Sequence, residues 1–155
     1  MSLKDRIGED MKAAMRARDA DRLSAIRMLV AAVRQKEIDE RIQLDDAQTI
    51  AVVERLSKQR RDSIEQYEKA GRHDLAAREK FELDVLAGYL PQPASAEELA
   101  AEIDAAIAAI SPATSTASPQ DIGKVMGLLK QRLAGRADLS KVSAQVRARL
   151  SAPRG

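Results

Sequence analysis

Residues 122–146 of this chain read IGKVMGLLKQRLAGRADLSKVSAQV. Apolar residues recur at three- and four-residue steps on both sides of Gly135, which is the pattern of amphipathic helices. Gly135 is a typical helix stop, and Asp138 can cap the helix that follows it. The stretch therefore predicts two short helices joined at a glycine.

Positive charge is concentrated in the same region. Residues 119–155 contain eight Lys/Arg and two Asp/Glu, a net charge of +6, whereas the whole chain of 155 residues carries +2. Concentrated positive charge favours phosphate backbones through counterion release, although a solubilising basic face is an alternative interpretation. An acidic helix from Glu97 to Asp104 precedes this region. The candidate nucleic-acid-binding residues are Lys124, Lys130, Arg132, Arg136, Lys141 and Arg147.

Two prolines mark the best domain boundary. Pro91 and Pro93 fix extended backbone geometry and stop the preceding helix, which predicts domains over residues 1–91 and 92–155. Ser95 and Glu98 form a capping-box pattern at the start of the next helix. Residues 111–117 have the composition of a loop, and Ser118 before Pro119 is a helix-start pattern. The second domain is thus predicted to hold three short helices.

The first domain is predicted to hold four longer helices. Candidate N-caps are Ser2, Asp19, Asp45 or Asp46, and Asp74, while Gly71 stops the third helix. Most residues are helix formers, and alternating apolar patterns with β-branched residues are missing. The fold class is therefore predicted to be all-α. We see no internal repeat of fixed period.

Composition limits the chemistry and the compartment. The chain has no cysteine, which excludes disulfides and thiolate nucleophiles. Its first residues are charged, and no apolar run approaches the roughly 20 residues that span a bilayer. We therefore expect a soluble protein of the cytoplasm, and we expect it to need no cofactor.

Candidate catalytic groups are scarce. His73 is the only histidine, and its place between a helix stop and a helix cap is typical of a solvated turn residue. One histidine without cysteine does not favour a zinc site, and the carboxylates occur in mixed-charge runs typical of surface ion pairs. We predict no catalytic and no metal-binding residue. Gly123 and Gly127 are assigned to close helix packing.

A second basic group lies upstream of the tail, on the predicted third helix and the turn after it. Acidic neighbours such as Glu54, Asp62 and Glu65 partly cancel its charge, so a solvated face is favoured over a binding patch. The group consists of Arg55, Lys58, Arg60, Arg61 and Arg72.

Several motifs together resemble the GatB/YqeY family over nearly the whole chain. The tail resembles the family signature at residues 123–127, 135–138 and 142–143. Upstream, residues 59–64, 67–72 and 89–91 look like those of stand-alone YqeY proteins. The resemblance implies two helical domains in a bacterial protein. The second domain is similar to the tail of the bacterial glutamyl/aspartyl-tRNA amidotransferase B subunit, which contacts tRNA.

Three functions follow as hypotheses. The first is a non-catalytic tRNA-binding or tRNA-enzyme accessory protein, which recognises folded RNA by shape and backbone because the tail lacks aromatic residues for stacking. The second is a protein–protein adaptor for an amidotransferase or an aminoacyl-tRNA synthetase, in which Met11, Met15 and Met28 could form an adaptable surface. The third is a component of a glutamine-dependent carbon–nitrogen ligase that needs a partner for catalysis.

Overall fold

A computed structural model describes residues 1–110 and 119–151. The chain divides into two compact units, Met1–Pro91 and Gln92–Gly155. Within the described ranges the secondary structure comprises seven α-helices and one 3-10 turn, with no strand. The predicted all-α fold class is confirmed. None of the helices in these ranges is long and apolar enough to cross a bilayer.

Four helices make up the first unit. They are α1 (Leu3–Arg16), α2 (Ala20–Glu40), α3 (Asp46–Lys69) and α4 (His73–Ala87). Side-chain caps start three of them as predicted. The Ser2 hydroxyl accepts from the Asp5 N–H in a full capping box, and the carboxylates of Asp19 and Asp45 accept from backbone N–H groups of α2 and α3. These bonds satisfy N–H groups that have no partner inside the helix.

Left-handed residues lie at the ends of three of these helices. Arg41, at φ 56°, caps the end of α2, while Arg18, at φ 55°, lies just beyond α1 and Gly71, at φ 73°, just beyond α3. Glycine adopts this conformation without the steric cost that a Cβ imposes. The start of α4 differs from the prediction, because the helix begins at His73 rather than behind an Asp74 cap. Asp74 instead accepts two hydrogen bonds from the Arg72 guanidinium, each 3.2 Å long, within the first turn.

The core of the first unit is aliphatic, with one buried tyrosine. Ile26, Leu29 and Val53 are fully buried at its centre. Tyr89 follows α4 and is 4% exposed, and its hydroxyl donates a 2.7 Å hydrogen bond to the Asp10 carboxylate on α1. Burial, followed by this hydrogen bond, raises the pKa of the Tyr89 hydroxyl. The segment after α4 is therefore fixed to α1.

Three helices and a 3-10 turn make up the described part of the second unit. They are α5 (Ala96–Ile110), the 3-10 turn Pro119–Asp121, α6 (Ile122–Arg132) and α7 (Leu139–Ser151). Their buried side chains form a separate aliphatic core. Its members are Ile103, Ala106, Val125, Leu129, Leu133, Val142, Val146 and Leu150.

The predicted boundaries of these short helices have mixed outcomes. The Ser95 hydroxyl accepts from the Glu98 N–H at 3.1 Å, and the Asp138 carboxylate accepts from the Ser140 N–H at 3.0 Å. Gly135 has a positive φ of 74° beyond the end of α6, as expected of a helix stop. The predicted loop over residues 111–117 and the predicted Ser118 cap lie outside the described residues.

Candidate nucleic-acid interface

Three arginines of the basic tail contact carboxylates of the acidic helix α5. Arg132 lies 3.4 Å from the Glu102 carboxylate, and the Arg149 guanidinium is paired with Asp104. Arg149 also donates to the backbone oxygen of Ala100. These ion pairs link α6 and α7 to α5 over 30 and 45 residues of sequence. Much of the tail's charge is therefore neutralised within its own unit.

Arg136 has the most contacts of these arginines. Its guanidinium contacts the Glu98 carboxylate at 2.5 Å and donates a 3.0 Å hydrogen bond to the backbone oxygen of Gln92. Its own backbone oxygen accepts from the Ala94 N–H at 2.8 Å. Arg136 therefore fixes the segment that leads into α5. The structure places this predicted RNA-binding residue in an internal polar contact, and the same holds for Arg132.

The four other predicted residues remain available to a ligand. Their side chains are exposed, and within residues 1–110 and 119–151 none of them forms an ion pair or a side-chain hydrogen bond. They are Lys124 and Lys130 on α6, and Lys141 and Arg147 on α7. An exposed cation without a protein partner keeps its full charge for a polyanion. The candidate site is thus narrower than predicted, and it consists of these four cations.

The glycines of α6 lie on its exposed face. A Cβ added to Gly123 or Gly127 would meet no atom of the described structure within 4 Å. The prediction that these glycines allow close helix packing is therefore wrong for the described part of the chain. The packing side of α6 is formed instead by Val125 and Leu129, which are fully buried.

The second basic group is divided by its contacts. Arg60 is largely buried between two α4 carboxylates, with Glu79 and Glu82 each 3.2 Å away. The Glu82 Oε2 atom is buried and forms an ion pair with Arg60 Nε, but it accepts no hydrogen bond from the described part of the chain. Arg72 is held by Asp74, whereas Arg55, Lys58 and Arg61 are exposed. The group therefore does not form one continuous binding surface.

Groups for metal binding or catalysis are sparse in the described ranges. His73 is exposed at the first position of α4, as its sequence context predicts. No group of three or more His, Asp or Glu side chains in these ranges is arranged to hold a metal ion.

The family model for Yqey-like proteins matches residues 4–150, which is almost the whole chain. The chain belongs to the YqeY-like family. The expected family is therefore confirmed, and the match extends over most of both units. Membership alone assigns no ligand to this YqeY-like protein.

Curated relatives of this YqeY-like protein come from yeasts. Altered inheritance of mitochondria protein 41 of Eremothecium gossypii is 41% identical over 100 residues, covering 63% of this chain and 55% of that protein. The protein of the same name from Lachancea thermotolerans is 40% identical over 100 residues, covering 64% and 52%. The Saccharomyces cerevisiae protein is 36% identical over 90 residues, covering 57% and 49%. The chain thus spans about half the length of the relatives it matches.

These relatives correct two expectations. They are named as mitochondrial proteins, and they belong to eukaryotes. The expectation of a cytoplasmic protein is contradicted, and so is the expectation of a specifically bacterial one. Charge, cysteine content and hydropathy could not have revealed the compartment of these relatives, because none of them distinguishes a mitochondrial protein from a cytoplasmic one.

Proposed function

We propose that this YqeY-like protein binds folded RNA, with tRNA as the first candidate, through α6 and α7, and that it acts without catalysing a reaction. The observation that carries the proposal is the division of the basic tail. Three arginines are paired with α5 or its flanks, whereas Lys124, Lys130, Lys141 and Arg147 are exposed and unpaired in the described structure. Four such cations in one small unit provide phosphate contacts.

The composition of the second unit favours recognition of the RNA backbone over recognition of the bases. The chain's three aromatic residues, Tyr67, Phe81 and Tyr89, all precede Pro91, so the second unit has none on which a base could stack. Lysine and arginine contacts to phosphates position a nucleic acid without reading its sequence. We therefore expect binding that depends on the shape of the RNA and on salt, with little preference for sequence.

The proposal is tested by the binding of fluorescently labelled total tRNA to the full chain. We expect binding that weakens steeply as salt rises, and its loss when Lys124, Lys130, Lys141 and Arg147 are all changed to Gln. A matched variant with Arg27, Arg55, Lys58 and Arg61 changed to Gln removes the same charge from exposed positions of the first unit. It should bind nearly as the wild type does. Failure of the wild type to bind tRNA at low salt would contradict the proposal.

An adaptor function is the second candidate, and two exposed apolar side chains of the first unit support it. Met28 on α2 and Phe81 on α4 are 43% and 41% exposed. Phe81 lines a hollow of about 320 Å³ together with Arg78 and Glu82. Methionine suits adaptable protein-binding surfaces, and exposed aromatic residues are enriched at interfaces. The third function, a component of a glutamine-dependent ligase, stays a prediction.

The adaptor candidate is tested by affinity capture after nuclease treatment, comparing the wild type with Phe81→Ser. A protein retained by the wild type and lost by the variant would support docking at this surface. Arg78→Gln in the lining of the same hollow serves as a control that keeps Phe81. Equal recovery of proteins by the wild type and Phe81→Ser would count against the candidate.

A further inference from the structure

The chain repeats itself at an offset of 17 residues in the second unit. Residues 121–133 read DIGKVMGLLKQRL, and residues 138–150 read DLSKVSAQVRARL. Five positions are identical, namely Asp, Lys, Val, Arg and Leu at 121/138, 124/141, 125/142, 132/149 and 133/150. Three more exchange similar residues, Ile122 for Leu139, Leu129 for Val146 and Lys130 for Arg147. The expectation that the chain has no internal repeat is therefore wrong.

The structure gives the two copies the same secondary structure and the same buried positions. The helices α6 and α7 begin at Ile122 and Leu139, which are 17 residues apart. Val125 and its counterpart Val142 are fully buried in one core, as are Leu129 and Val146. Leu133 and Leu150 complete the set at 0% and 8% exposure. Equivalent residues of the two copies thus bury equivalent side chains.

Equivalent arginines also make equivalent contacts. Arg132 in the first copy pairs with Glu102, and Arg149 in the second copy pairs with Asp104. Both carboxylates belong to α5, which lies outside the repeat. One arginine of each copy therefore joins its helix to α5 and is occupied within the protein.

The remaining cations are equivalent as well. Lys124 and Lys130 in the first copy correspond to Lys141 and Arg147 in the second, and each pair is six residues apart. Six residues of α-helix advance by about 9 Å and place the two side chains about 120° apart around the axis. The position midway between them holds a small exposed residue, Gly127 or Ala144. Each helix thus presents two cations, unpaired within the described ranges, on either side of a small residue.

We propose that α6 and α7 are two copies of one RNA-binding helix, and that each contributes an equivalent pair of phosphate contacts. The inference rests on the proposed RNA binding, and it adds how the phosphate contacts are divided between the two helices. A phosphate backbone can lie close to the helix at Gly127 or Ala144 because no long side chain stands there. The flanking cations then reach phosphates from both sides. Charge complementarity selects RNA over an uncharged partner.

The experiment compares two pair variants of the full chain. Lys124→Gln/Lys130→Gln removes the contacts of α6, and Lys141→Gln/Arg147→Gln removes those of α7. Binding of labelled total tRNA is measured over a range of salt concentrations. We expect each variant to lose affinity by about tenfold and to lower the slope of log affinity against log salt by about 1.4 to 1.8, because each phosphate contact contributes about 0.7 to 0.9.

A matched control removes two charges elsewhere. Lys58 and Arg61 are exposed on α3, and changing both to Gln should alter neither the affinity nor the slope appreciably. Circular dichroism verifies that each variant keeps its helices. Alanine versions of both pairs, with higher helix propensity than glutamine, are measured beside them so that a folding defect is recognised.

The outcomes separate the two proposals. Equal losses in the two pair variants, with additive loss in the quadruple variant, support two equivalent contacts. Loss in only one pair variant, with wild-type binding in the other, would overturn the equivalence and leave the proposed function intact. A wild type that does not bind tRNA would overturn both.

Discussion

At the scale of single residues, polar contacts over long sequence distances hold each unit together. Tyr89 is the clearest case, because its hydroxyl is buried and its acceptor Asp10 lies 79 residues away. The Arg6 guanidinium lies 5.2 Å from the centre of the same ring and donates to the Gly88 backbone oxygen at 2.7 Å. Tyr89 is one of the residues on which the family resemblance rests. Its contacts show that it has a structural role, because they hold the segment after α4 against α1.

Tyr89→Phe should destabilise the first unit by about 1–2 kcal/mol, because it removes a hydrogen bond to a charged acceptor. Urea unfolding followed by tyrosine fluorescence measures the effect, since both tyrosines of the chain lie in this unit. Tyr67→Phe is the matched control, because the Tyr67 hydroxyl donates no hydrogen bond to any residue in the described ranges, and either variant keeps one tyrosine as reporter. Equal stability of the two variants would contradict the structural role.

The contacts of the Glu37 carboxylate should be sensitive to acid. Its Oε2 atom accepts from the Lys4 ammonium at 2.6 Å and from the Leu44 N–H at 2.9 Å, and these bonds lower the pKa of the Glu37 carboxyl. A lowered pKa in the folded state stabilises the protein above the ordinary glutamate pKa of about 4.3, and this stabilisation is lost as the pH falls through the lowered value.

Glu37→Gln should therefore reduce stability at pH 7 and make the loss of stability between about pH 5 and 3 less steep. Denaturant titrations at several pH values test this expectation. Glu40→Gln, which breaks only an exposed pair with Lys36, serves as the control. Parallel pH curves for the wild type and Glu37→Gln would rule out the contact as a source of acid sensitivity.

At the scale of elements, the glycines of the chain have different roles. Gly71 has a φ of 73° just beyond α3, whereas Gly127 lies inside α6 with open space around it. Alanine at position 127 should stabilise the second unit by about 0.5–1 kcal/mol, since glycine is a poor helix former. Alanine at position 71 should destabilise the first unit by about 1–2 kcal/mol. Thermal unfolding followed by circular dichroism shows whether each change raises or lowers the stability. Stabilisation by both changes would refute the different roles of Gly71 and Gly127.

The sequence predicted helix starts better than contacts between helices. The caps at Ser2, Asp19 and Asp45 are local, because a side chain bonds to a backbone group three residues away, and they could be predicted from neighbouring residues alone. The pairing of Arg132 and Arg149 with α5 depends on packing across 30 and 45 residues. Charge density therefore showed where the cations are concentrated, but it could not tell which of them are occupied by contacts within the protein.

At the scale of the whole molecule, the acidic helix α5 limits the positive charge of the second unit. Residues 92–155 contain eight Lys/Arg and six Asp/Glu, whereas residues 1–91 contain eighteen of each. The excess positive charge of the chain therefore resides entirely in the second unit. It is only a third of the +6 that residues 119–155 carry without α5.

Neutralising part of α5 should therefore strengthen the proposed RNA binding. Glu102→Gln/Asp104→Asn frees Arg132 and Arg149, and we expect a several-fold gain in tRNA affinity at low salt that fades as salt rises. Asp62→Asn/Glu65→Gln changes the first unit by the same charge and should have a smaller effect. An unchanged affinity after release of both arginines would argue against an electrostatic interface on this unit.

The helical repeat also bears on how the second unit folds. Two helices with matching buried residues could in principle exchange places, and such near-equivalent arrangements compete with the native one during folding. The differences between the copies must then select one topology. Met126 and Leu128 pack against the core, whereas their counterparts are the polar residues Ser143 and Gln145. The shared valines and leucines fit either arrangement. The difference in free energy between the correct and the swapped arrangement therefore depends on these two positions.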